Sequence, residues 1–221
     1  MQGFPPALLD SSNPCSPLSL KPSETAVLIL DLHNFILDHQ ADKGFGTIAA
    51  VRRLLLFSRR HGFRIAHCLL DTDASTPSHF KMSSRTNAIG QSLRATPEMA
   101  REHSDLRPAG DSDEPTFTRL PGVVSARGSY GIKDWMAKEG IKGLVLAGLS
   151  SSGCVLSTAK DAADRGYIVT VVEDCCADRD PKVHEIIMTK LLVLQCHVVS
   201  LESWEEVVSR NVGAGRVSVR Q

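Results

Sequence analysis

Short apolar runs alternate along the chain with longer stretches whose apolar residues recur every three or four positions. Residues 25–30 (TAVLIL), 63–70 and 144–149 (LVLAGL) are mostly apolar, so each is predicted to be a strand covered on both faces. Residues 167–172 and 197–201 read as two more strands, and 116–120 as a shorter, weaker one. Between them lie amphipathic stretches. In 46–62, Ile48, Val51, Leu54 and Leu55 share one face, while Arg52, Arg53, Arg59 and Arg60 form a solvated remainder. Further helices are predicted over 131–139, closed by Gly140, and over 182–195, after Asp180-Pro181. A last helix is predicted over 204–210.

Residues 72–115 form a long connection without a clear period, with a helix expected near 97–103 because Thr96-Pro97-Glu98 makes a helix start. A connection of that length in a compact domain often covers a site. Residues 1–23 are rich in Pro and Ser and read as an arm, and 212–221 as a tail, leaving one domain over 24–211. Strands alternating with helices imply the α/β class: a three-layer α/β/α sandwich around a mainly parallel, Rossmann-like, six-stranded sheet.

One stretch organises the chemistry. Residues 142–166 read KGLVLAGLSSSGCVLSTAKDAADRG. The apolar run stops at Ser150-Ser151-Ser152-Gly153. Val155, Ala159, Ala162 and Ala163 then recur at helical spacing until Gly166. A strand thus runs straight into a helix that carries Cys154 in its first turn. A helix start holds partial positive charge and unpaired N–H groups. Both favour a thiolate, and the same amides can hold an oxyanion. On this reading Cys154 is the cysteine that alkylates fastest. The same position also suits a buried, inert cysteine. The spacing of Gly148 and Gly153 resembles a triphosphate-binding loop, but Cys154 and Val155 stand where Lys and Ser or Thr are required. No G-x-G-x-x-G dinucleotide fingerprint occurs. Asp31 ends the first strand, at the edge where open α/β sheets build sites, although it also suits a turn cap. His33 reads as a loop or packing residue.

Composition narrows the choice. The 221 residues hold 25 Lys plus Arg and 25 Asp plus Glu. Nothing global draws the chain to nucleic acid or to an anionic membrane. The first twenty residues lack the basic start and apolar core of a signal peptide, and no apolar run is long enough to span a bilayer. Cys15, Cys68, Cys154, Cys175, Cys176 and Cys196 make no C-x-x-C pair, which suits reduced thiols in the cytoplasm.

Three segments carry a family resemblance: TAVLILDLHNFIL, SARGSYGIKDWMAKEGIKGLVLAG and LSSSGCVLSTAKDAADRGYIVTVVEDCCAD. Over roughly 25–201 the chain resembles the isochorismatase-like cysteine hydrolases, which include nicotinamidases, N-carbamoylsarcosine amidohydrolases and ureidoacrylate amidohydrolases. The resemblance implies an Asp–Lys–Cys catalytic set. Asp31 matches the Asp and Cys154 the nucleophile. No Lys lies between Lys81 and Lys133, and the cation's role passes to Arg119. Arg127 stands where relatives carry an aromatic residue after Ser-Ala. The resemblance also implies a cis peptide at Leu149–Ser150 and an oxyanion hole from the Ser150 and Cys154 amides. It places Phe35 and Leu149 beside a substrate.

The reaction so implied is cleavage of a C–N bond in a small amide, carbamoyl or ureido compound through a thioester. Two other readings stay open: a catalytically weak module binding a small molecule or a protein, and vinyl ether hydrolysis as in classical isochorismatases, which lack the nucleophilic Cys. Nicotinamidases hold a metal after their second strand. Here Asp71, Asp73 and His79 stand at comparable spacing, with Asp73 in place of one His, and read as loop residues rather than ligands. No cofactor is expected. A small-molecule substrate and a homo-oligomer, dimer or tetramer, are expected, with the 182–195 helix offering an apolar surface.

Overall fold

Six strands hydrogen-bond in the order β3-β2-β1-β4-β5-β6, and every neighbouring pair is parallel. They are β1 (Thr25–Leu30), β2 (Arg64–Leu70), β3 (Thr116–Arg119), β4 (Gly143–Leu149), β5 (Ile168–Ala177) and β6 (His197–Val199). The computed structural model of the chain describes residues 10–40, 44–108, 110 and 112–217, with the backbone alone for 212–217. The first nine residues of the expected arm and the last four of the expected tail lie outside the described residues.

Side chains alternate across a strand, so a strand apolar at every position must be covered twice. Val27 and Ile29 of β1 pack with Val51, Leu54 and Leu55 of the helix Phe45–His61 and with Trp204 and Val207 of the helix Leu201–Val217. Ala26, Leu28 and Leu30 face the other way. They pack with Ile132 and Met136 of the helix Ile132–Lys138 and with Ala159 and Ala162 of the helix Leu156–Ala163. The result is the expected three-layer sandwich.

The strand order reverses between β1 and β4, and crevices at such reversals hold the ligands of open α/β sheets. β1 delivers Asp31 to this crevice and β4 leads to Cys154. Gly148 sets how closely the two strands approach. Its φ is 135°, and a Cβ there would stand 2.1 Å from the Leu30 carbonyl oxygen.

Several boundaries differ from the pattern. β5 continues past Val172 to Ala177, because its pairing with β4 slips between Leu146 and Gly148 and takes up the polar pair Glu173-Asp174 as an irregularity. A helix, Ser83–Leu93, lies within the long connection, although Leu93 is its one buried residue. The short helix Pro97–Ala100 ends before 103, since Glu102 instead makes an antiparallel bridge with His33. The predicted helix over 182–195 changes pitch along its length, from Pro181–Ile186 to a π-helical turn Ile187–Leu191 and a 3-10 turn Leu192–Leu194. The last helix begins at Leu201 and runs to Val217, beyond Arg210.

Candidate active site

Arg119 ends β3, and its guanidinium holds together both groups from the crevice. Nη1 donates to Asp31 Oδ1 at 2.9 Å and Nη2 to Asp31 Oδ2 at 2.5 Å. Nη2 also donates to Cys154 Sγ at 3.2 Å, and Nε to the Val123 carbonyl at 2.9 Å. All three side chains are buried, with Arg119 at 1% exposure, Cys154 at 3% and Asp31 at 5%. Asp31 sits at φ 52°, in the left-handed region that Asp tolerates better than most residues. This turns the chain out of β1 at the residue that meets Arg119. The three residues singled out for catalysis are therefore brought to one place.

Burial pushes the Cys154 thiol well above its ordinary pKa, and the Asp31 carboxylate pushes the same way. Arg119 and a contact from Thr158 pull it down without reversing the direction. Burial alone would lower the Arg119 pKa, but Asp31 and Cys154 hold it above its usual value. The resting site is thus a neutral thiol beside an ion pair, not the free thiolate that a helix start by itself suggests. Cys154 lies in a π-helical turn, Ser151–Val155, rather than in the helix proper, which starts at Leu156. Desolvation in that turn is the largest influence on the thiol.

The turn is pinned from behind. Ser151 Oγ donates to the Ala177 carbonyl at 3.0 Å, which leaves it to accept from His184 Nδ1 at 2.7 Å. Ser152 N and Oγ both donate to Asp178 Oδ2, at 2.8 and 2.6 Å. The Leu149–Ser150 peptide is cis, at the bond the resemblance implies. Thr158 Oγ1 accepts from Ala126 N at 2.9 Å, so its proton is free to reach Cys154 Sγ, 3.6 Å away. Thr158 was not singled out in the sequence. Its i+4 spacing from Cys154 was the available signal.

An apolar cleft opens at the same strand ends, lined by Phe35, Leu70, Thr86, Ile89, Leu93 and Pro121. Phe35 is therefore at a cavity wall. Leu149 is wholly buried in the core and is not among the lining residues. Arg127 is buried beneath the Tyr167 ring, 5.1 Å from its centroid. Asp71 turns back on its own loop, its Oδ1 accepting from Asp73 N and Ala74 N at 3.1 Å each. Among the described residues no three His, Cys, Asp or Glu side chains converge as a metal site would require. No helix among them is long and apolar enough to cross a membrane.

The isochorismatase domain family model matches residues 25–203. Ureidoacrylate amidohydrolase RutB of Rhizobium rhizogenes is 25% identical over 190 residues, covering 72% of each chain. Maleamate amidohydrolase of Pseudomonas putida is 43% identical over 47 residues, a stretch that spans 21% of this chain and 22% of that one. Among solved structures, a cysteine hydrolase from Pseudomonas syringae pv. phaseolicola superposes with a TM-score of 0.72 at 16% identity. It covers 87% of this chain and 95% of its own. At that identity the likeness speaks for the fold.

Proposed function

The chain belongs to the isochorismatase family, and from that premise we propose that it hydrolyses the C–N bond of a small amide or ureido compound with Cys154 as nucleophile. Relatives named as amidohydrolases on ureidoacrylate and maleamate support the reaction class. The observation that carries the cysteine mechanism is the shared donor: Arg119 Nη2 is hydrogen-bonded to Asp31 and to Cys154 at once.

In a buried site, moving a proton from the thiol to Asp31 moves one negative charge from oxygen to sulfur. Because Arg119 touches both ends, that charge stays beside the cation throughout, so the transfer needs little reorganisation. Asp31 thus acts as base when the substrate carbonyl arrives, and the thiolate attacks it. The Ser150 and Cys154 amides take the oxyanion, each such donor contributing roughly 3–4 kcal/mol. Asp31 returns the proton to the departing nitrogen, leaving a thioester on Cys154. A water deprotonated by Asp31 then releases the acid and restores the thiol. Arg119 stays charged at every step, since a guanidinium gives up no proton near neutral pH.

The apolar cleft beside Phe35 and Pro121 suits a small apolar body on the substrate. Exposed Ile186, Leu191, Val193 and Leu194 form an apolar surface that supports self-association, which light scattering at micromolar concentration checks. A screen of small amides and ureido compounds for ammonia release tests the reaction. Quenched mass spectrometry then tests for an acyl group on Cys154. Turnover that persists in Cys154→Ala would overturn the cysteine mechanism.

A further inference from the structure

His67 and Glu102 form a wholly buried pair that the chemistry above leaves unused. His67 lies on β2, on the face that Ile65 turns toward the helix Phe45–His61. Its Nδ1 donates to Glu102 Oε1 at 2.8 Å. Its Nε2 lies 3.7 Å from Glu114 Oε2, and Glu114 in turn accepts from Arg59 Nε and Nη2 at 2.7 and 2.8 Å. The groups facing His67 are Glu102 from the long connection and Glu114 from the approach to β3. Arg59 stands behind Glu114, and His33, after β1, feels Glu102. With His67 protonated, two acids meet two bases. With His67 neutral, Arg59 still pairs with Glu114 but Glu102 faces only a neutral donor, an imbalance that a dry interior resists.

Glu102 is also where the long connection meets the loop after Asp31. Its backbone bridges His33, the Asn34 amide donates to the Arg101 carbonyl at 2.9 Å, and the His103 amide to the Leu32 carbonyl at 2.9 Å. The same segment supplies Leu93, Pro97, Ala100 and Arg101 to the wall of a cavity of about 350 Å³. That cavity shares Thr72 and Leu93 with the apolar cleft.

We propose that His67 is a positioning residue for the reaction: through Glu102 it clamps the 93–107 segment onto the loop that carries Asp31. The proposal rests on the role given to Asp31 above. Deprotonating His67 at Nε2 leaves a neutral Nδ1–H on Glu102 in place of a charge-assisted one, which weakens the hold on residues 32–34 and loosens the cavity wall. Burial alone would keep His67 neutral, but the two carboxyl groups outweigh it and raise the imidazole to about 8. The clamp is therefore closed at neutral pH and opens above it.

Amide hydrogen exchange on the wild-type protein tests this without turnover. After correction for intrinsic rates, the Asn34 and His103 amides should exchange about tenfold faster once His67 has titrated, with the imidazole followed by NMR. Glu114→Gln removes one of the two carboxyl groups and should move the midpoint of both curves to lower pH. His67→Gln keeps a donor toward Glu102 but no charge. Its exchange should be fast and flat with pH, and its kcat/KM should fall about tenfold at pH 7 while losing the alkaline decline. Unchanged exchange at Asn34 and His103 through the His67 titration overturns the clamp, whether or not His67→Gln folds. An unmoved midpoint in Glu114→Gln overturns it too. If exchange follows His67 while Cys154→Ala still turns over, the clamp stands and the nucleophile assignment falls.

Discussion

Arg119 Nη2 lies 3.2 Å from Cys154 Sγ while the same nitrogen and its neighbour Nη1 grip both oxygens of Asp31. A planar fork can do this and a point charge cannot. Where the resemblance implies an ammonium, the group beside Asp31 and Cys154 is a guanidinium, anchored through a third nitrogen to the Val123 carbonyl. The consequence is a site that is rigid and charge-balanced before substrate arrives.

Such a site hides its thiol. The Cys154 thiol is buried and held above its ordinary pKa, whereas Cys15 is exposed. Cys68 and Cys176 are pushed up to about 12 by burial and Cys196 to about 11. Limited iodoacetamide at pH 7.5 should label Cys15 first and leave Cys154 largely unmodified. An acylating amide analogue should reverse that order by entering the site. This replaces the expectation from the helix start alone, that Cys154 alkylates fastest. Peptide mapping that finds rapid labelling of Cys154 in the free protein would reveal a resting thiolate and overturn the neutral thiol.

The buried His67 makes stability depend on pH with a definite sign. Its folded pKa, about 8, is above the model-compound value of 6.5. The folded state therefore holds the proton more tightly, so the contribution is complete below 6.5 and lost as pH rises through 8. A shift of this size corresponds to something on the order of 2 kcal/mol. Urea unfolding midpoints should fall between pH 6.5 and 9, and His67→Gln should flatten that slope. An equal slope in the variant would assign the effect to other groups.

The parts of the fold legible in sequence were those whose burial is complete. β1 and β4 are apolar at nearly every position because helices cover both their faces, and they carry Asp31 and Cys154 to the crevice. Arg119 was found through the gap between Lys81 and Lys133 and the family resemblance, not through any local pattern. The helix Ser83–Leu93 escaped because one buried residue leaves no apolar stripe. The outer half of β5 escaped because Glu173 and Asp174 sit in an irregularity that breaks the run. His67 and Glu102 are 35 residues apart, and nothing in either neighbourhood announces a partner.

Gly148 ties fold to function. Its positive φ and the 2.1 Å approach of a Cβ to the Leu30 carbonyl mean that any side chain must push β4 off β1. Those two strands present Cys154 and Asp31. Gly148→Ala should therefore destabilise the protein by more than about 3 kcal/mol and lower turnover in the fraction that remains folded. Denaturant titration with activity measured per folded molecule checks both. A variant with wild-type stability would mean that the strands separate at little cost.

The sharpest test is at Arg119 itself. Truncation in Arg119→Ala leaves Asp31 buried without its partner, a loss on the order of 3–5 kcal/mol, and removes the donor to Cys154. Turnover should fall at least a thousandfold. Arg119→Lys keeps the charge, but an ammonium cannot hold both Asp31 oxygens, the Val123 carbonyl and Sγ together, so a loss of about ten- to a hundredfold is expected. Stability and chemistry separate in the double variant Arg119→Ala with Asp31→Asn. It removes the uncompensated charge, so unfolding by denaturant should move back toward wild type, while activity should stay absent because the base has gone as well. Steady-state kinetics with circular dichroism on the three proteins reads all of this. Wild-type turnover in Arg119→Ala would exclude the guanidinium from the reaction. Full turnover in Arg119→Lys would show that the positive charge is required and the fork is not.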